Sequence, residues 1–136
     1  MIDRFKRIQV IKEQYTLKFD NCKEEWPIDV QRVYKFVHEH LFESDLNVSI
    51  ALKQCCISNK NFSGKFKHYV GHGLKNYILH LRIEASKEIL GSMEKEENIC
   101  CAGFEVGFIS YSAFSRSFSK AVGMTPKNFK EKIEEN

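Results

Sequence analysis

The sequence predicts an all-α fold of about seven helices, arranged as two helix-turn-helix units joined by one long helix. Three observations lead there. Apolar residues recur at spacings of three and four through most of the chain beyond residue 27, the signature of helices with one buried face. A pattern that begins at Ser110 and continues with Phe114, Phe118, Gly123 and Phe129 occurs again from Ser58, with Phe62, Phe66, Gly71 and Tyr77 at the same offsets. Between the copies, the stretch from Gly73 to Leu90 keeps its helical period without a breaker.

Residues 1–26 carry no clear helical stripe, and Tyr15-Thr16-Leu17-Lys18-Phe19 alternates as a short strand would. The segment is expected to be an arm, a strand left from a larger amino-terminal domain, or a cover on the first helix. Residues 27–72 form the first unit. Pro27 opens a helix running to about Leu41, with Val30, Val33, Tyr34, Val37 and Leu41 on its buried face. His38 and His40 near its end are expected to act as cations favoured at a helix carboxy terminus. A shorter helix from Asn47 or Val48 to Cys55 carries Ile50, Ala51 and Leu52. It leads to a helix from Ser58 to Val70, with Phe62 and Phe66 inward and Lys60, Asn61, Ser63, Gly64, Lys65 and Lys67 outward. Gly64 weakens that helix by about 1 kcal/mol relative to alanine.

Residues 73–91 are the linker helix, with Leu74, Tyr77, Ile78, Leu81, Ala85 and Ile89 inward and a length of roughly 25 Å. Residues 92–136 form the second unit. After a charged loop, Asn98 caps a short helix through Phe104, and Gly107 supplies the positive φ that a tight turn needs. Ser110 then caps a helix with Phe114 and Phe118 inward. Gly123 suits its left-handed end, and Thr125-Pro126 is a cap followed by proline at the first helical position.

Charge separates the repeats from the rest of the chain. The net charge of +3 says little, but Lys60, Lys65, Lys67 and Lys75 stand without an acid between Ser58 and Lys75. Arg116, Lys120, Lys127, Lys130 and Lys132 face only Glu131 in the second copy. Basic repeats of this kind are the electrostatic footprint of a phosphate-backbone binder. The five cysteines lack CxxC spacing and an HxxxH partner, so no metal is expected, and they read as small apolar residues in a reducing cytoplasm. No apolar run approaches a membrane span of about 20 residues, and the basic amino terminus is not followed by a signal-peptide core. No nucleophile, base and orienter set stands out, and no phosphate-binding glycine loop, which argues against an enzyme.

The residues Glu105-Val106-Gly107-Phe108, Phe114-Ser115-Arg116-Ser117-Phe118 and Gly123-Met124-Thr125-Pro126, followed by Phe129, resemble the carboxy-terminal signature of the AraC/XylS transcription regulators. The resemblance covers roughly residues 27–133. It implies two homeodomain-like helix-turn-helix subdomains that read two successive major-groove segments on one face of DNA, with no cofactor. Position by position, it places Lys60, Ser63 and Gly64 of the first recognition helix, and Tyr111, Ser112, Ser115 and Arg116 of the second, toward the bases. Arg116 can bond O6 and N7 of a guanine as a fork, or contact a phosphate. Lys67, Lys120, Thr125 and Lys127 are phosphate candidates, with Lys60 open to that role too, and Arg82 is either a phosphate contact or a structural ion pair. The chain departs from the family pattern at Ala102-Gly103, where an Ile-Ala pair is usual, and at Leu52, where alanine is usual; shifted or looser helix contacts are expected there. The implied function is sequence-specific DNA binding in transcription regulation, with double-stranded DNA and RNA polymerase as partners. The alternative is a protein-interaction module in which only the second subdomain reads DNA. The expected state is a monomeric free-standing binder or a fragment of a longer regulator.

Overall fold

The computed structural model describes residues 3–17 and 21–135, and within them every regular element is a helix. Eight are present, one more than the sequence predicts. The addition is α1 (Arg4–Thr16), in the segment expected to be an arm, a strand or a cover on the first helix; it is a helix, and it packs on α2 through the Tyr15 carbonyl and His38. Asp3 caps it by accepting the Lys6 backbone N–H at 2.9 Å. Ile8, Ile11 and Tyr15, at spacings of three and four, turn inward, whereas Phe5 and Val10 stay 73% and 54% exposed and blur the stripe in sequence. Tyr15 and Thr16 of the expected strand are helical, while Lys18 and Phe19 lie outside the described residues.

The first unit comprises α2 (Ile28–Glu39), α3 (Val48–Gln54) and α4 (Phe62–Val70). The long α5 (Leu74–Ser92) follows, close to the expected linker bounds, and its 19 residues span about 28 Å. The second unit comprises α6 (Cys100–Glu105), α7 (Tyr111–Val122) and α8 (Pro126–Glu134). Four phenylalanines are the centres of the units: Phe62, Phe66, Phe114 and Phe118 are each at most 1% exposed. Phe66 meets Tyr77 at 5.8 Å between ring centroids, and Phe118 meets Phe129 at 5.4 Å. The start of α5 therefore does for the first unit what α8 does for the second. Truncating any of these rings to alanine costs about 3–5 kcal/mol.

The repeat is real in its core and its stops, since Gly71 and Gly123 both end their helices at positive φ, +100° and +90°. The turns differ by one residue. Ile57 N–H reaches Leu52 O at 2.9 Å past Cys56 at φ +59°, and Phe108 N–H reaches Gly103 O at 3.0 Å past Gly107 at φ +103°. Counted from these left-handed residues, the first core phenylalanine comes sooner in the first unit. Ser58 is consequently not the counterpart of the Ser110 cap. Asn59 Oδ1 takes the Asn61 N–H instead, and α4 begins only at Phe62. Cys56, expected as a small apolar helix residue, is an exposed thiol in a left-handed turn.

His38 also departs from expectation. It is fully buried: its Nδ1 donates to the Tyr15 carbonyl at 2.7 Å, and its Nε2 shares a hydrogen bond of 2.6 Å with the Tyr77 hydroxyl. This histidine joins α1, α2 and α5 through hydrogen bonds at both ring nitrogens, inside the core and away from the solvent-facing helix end. Burial pushes the Tyr77 hydroxyl far above the ordinary tyrosine range.

Candidate nucleic-acid interface

On α7 the packing of Phe114 and Phe118 fixes which residues face outward. Ser112, Arg116 and Lys120, four apart, form one exposed stripe, flanked by half-buried Tyr111 and Ser115. Ser110 Oγ accepts the Ala113 N–H at 3.1 Å and so sets where the stripe begins. Arg116 has no hydrogen bond or ion pair to another described residue, which leaves its guanidinium fork open. Ile109, just ahead of the cap, is 78% exposed. Its place beside the stripe escapes a sequence reading because an isoleucine next to Phe108 reads as core.

On α4 the corresponding exposed face is Ser63, Gly64, Lys67 and His68. An added Cβ at Gly64 meets nothing within 4 Å, so this position opens fully to the outside. Lys60 is exposed but sits in the turn before the helix. Lys65 is withdrawn from the basic surface by an ion pair with Asp29 at 2.9 Å. Burial acts to raise the Asp29 carboxyl, but the Lys65 bond and charge together with backbone N–H groups outweigh it and hold the carboxyl below its ordinary value.

Thr125 is exposed, and its Oγ1 caps α8 by accepting the Asn128 N–H at 3.1 Å; its own O–H remains able to donate. Lys127 is exposed on the first turn of the same helix. Lys130 is buried instead, holding Met93 O at 3.4 Å and pairing with Glu134, so it pins α8 to the end of α5.

Arg82 corrects the expectation of a phosphate contact. It is only 6% exposed, with Nε donating to Leu41 O at 2.9 Å and Nη2 to Glu43 O at 2.8 Å. The alternative of an ion pair fails too, since among the described residues the guanidinium bonds backbone carbonyls of the loop after α2 and no carboxylate. Its guanidinium lies against Gly107, where an added Cβ would stand 2.9 Å from Cζ. One side chain of the linker helix thus touches a loop of the first unit and the turn of the second.

At Gly103 the shifted contact is found and not the looser one. A Cβ there would fall 2.6 Å from the Phe114 ring, so the glycine lets α6 and α7 cross more closely. Leu52, the other departure, is half-buried against the core.

Comparison with known proteins gives one consistent result. A sequence-family profile described as a helix-turn-helix domain matches residues 52–132. The uncharacterized HTH-type transcriptional regulator YobQ of Bacillus subtilis is 32% identical over 98 residues, 72% of this chain and 39% of that protein. The MmsAB operon regulatory protein of Pseudomonas aeruginosa is 27% identical over 109 residues, 80% and 34% respectively. The arabinose operon regulatory protein of Escherichia coli is 25% identical over 130 residues, 96% and 41%. The chain thus spans 34% to 41% of the length of these curated relatives. Among solved structures, the C-terminal domain of AraT, a response regulator from Geobacillus stearothermophilus, superposes with a TM-score of 0.70 at 23% identity, covering 80% of this chain and 88% of that one.

Proposed function

The chain belongs to the AraC/XylS family of helix-turn-helix proteins, and on that premise we propose that it is a sequence-specific DNA-binding transcription regulator of the cytoplasm, setting α4 and α7 into successive major-groove segments. The observation that carries this reading is the stripe of Ser112, Arg116 and Lys120, exposed opposite Phe114 and Phe118. A recognition helix needs this division, one face buried to fix its pose and the other bearing donors that match base edges. Arg116 reads a guanine, with Ser112, Tyr111 and Ser115 beside it and Ile109 available for a thymine methyl. Lys120, Lys127 and the hydroxyl of Thr125 take phosphates. From the first unit, Ser63 and the open backbone at Gly64 approach the bases, while Lys60 and Lys67 neutralise phosphates, which position the protein without specifying sequence. RNA polymerase remains a partner at the promoters such a protein would control.

Selection of bound duplexes from random sequence, followed by titration of the consensus, tests the reading. Arg116→Ala is expected to weaken binding by about 1–3 kcal/mol and to relax the preference at one guanine. Unchanged affinity and unchanged preference would remove Arg116 from the recognition surface.

A further inference from the structure

We infer that α1 is a brace that fixes the rotation of the two reading units relative to each other, and thereby the subsite spacing the protein accepts on DNA; the inference rests on the DNA-reading function proposed above. The matched family profile begins at residue 52, well past α1, so the helix lies outside the part of the chain that the profile describes.

Attachments of α1 run to both units and to the linker. Toward the first unit, the Tyr15 carbonyl receives His38 Nδ1, and Lys12 Nζ sits 5.6 Å from the centre of the Phe42 ring. Toward the linker, Tyr15 bonds Glu88, and Arg7 Nη1 donates to Ser92 O at 2.5 Å. Toward the second unit, Arg7 Nη2 meets Glu97 at 2.6 Å, Lys12 meets Glu105 at 3.2 Å, and Phe5 and Ile8 line a cleft with Cys101 and Phe104. Lys12 therefore contacts a loop of one unit with its charge while pairing with a helix of the other.

The geometry explains why a second connector matters. A single rod such as α5 sets the distance between two units, but their rotation about its axis depends on how firmly each is seated on it. A second helix attached to both units, off that axis, removes this freedom. One base pair of added spacing rotates a subsite by about 35° as well as moving it along the duplex, so the spacing accepted by the protein reports the stiffness of the connection.

The test uses the full chain and a panel of duplexes carrying its selected bipartite site with one or two base pairs added or removed between the subsites. Wild type is expected to lose at least about tenfold in affinity at two base pairs out of phase, the size of a single lost base contact. Arg7→Ala combined with Lys12→Ala is expected to bind the optimal site more weakly while discriminating spacings by less than about threefold. Lys12→Gln alone, which breaks a partly exposed pair and spares the core, is expected to shift discrimination the same way to a smaller extent. Variants that keep the wild-type spacing profile would overturn the brace even if overall affinity fell. A wild type that selects no bipartite site would overturn the DNA reading itself, a distinguishable failure.

Discussion

Gly64 and Gly107 are both glycines of the helix-turn-helix units, yet their surroundings predict opposite responses to the same substitution. Gly64 is within α4 with open space where a Cβ would go, so Gly64→Ala is expected to stabilise the protein by about 1 kcal/mol through helix propensity alone. Gly107 sits at φ +103° with the Arg82 guanidinium 2.9 Å from a would-be Cβ, so Gly107→Ala combines backbone strain with displacement of a buried cation. It should cost more than about 1 kcal/mol. Thermal melts decide this: Gly64→Ala moves Tm up by about 4 °C and Gly107→Ala moves it down by at least as much. A rise for both would show that Arg82 does not press on the turn. Single residues were legible in the sequence where their role is local. Ser110, Thr125, Gly71 and Gly123 act within a few residues of themselves, and the chain order alone exposes them. Arg82 and His38 were misread because their partners lie 23 to 41 residues away.

At the scale of elements, the helices with strong apolar stripes and capped ends were readable: α7 has the expected bounds, and α8 begins at the expected Pro126 behind its Thr125 cap. The turn of the first unit was not, since nothing in the Phe and Gly offsets reveals that a non-glycine residue, Cys56, adopts the left-handed conformation one position later than the repeat would place it. α1 was missed because it depends on tertiary attachment: its outward Phe5 and Val10 mask the inward stripe. That attachment carries a pH signature. Burial acts to raise the Glu97 carboxyl, but the bond and charge of Arg7, with a backbone N–H, hold it below its ordinary 4.5. A lowered folded value means the contribution is present above the usual carboxylate range and is lost as pH falls through the folded value. Asp29 has the same sign. Melting temperature is therefore expected to drop as pH falls below the ordinary carboxylate range, by a smaller amount in Glu97→Gln, whose residual dependence includes the share of Asp29. Superimposable profiles for the two proteins would place Glu97 outside the linkage.

For the whole molecule, the two-unit plan follows from local repetition, whereas the relation between the units comes from contacts far apart in sequence. Arg82 touches the loop after α2 and the turn at Gly107; α1 touches Phe42, Ser92, Glu97 and Glu105. Patterns of three and four residues carry no information about such contacts, so the candidate reading faces could be placed on their helices without any view of how they are held together. Bipartite reading of this kind requires two faces, carried by α4 and α7, to meet DNA in the same binding event on one side of the duplex. Guanine methylation interference on a selected site measures this directly. The expected result is two clusters of interfering guanines about 10 base pairs apart on one face, with the cluster under α7 reduced in Arg116→Ala. A single cluster, or interference spread evenly around the duplex, would contradict the account.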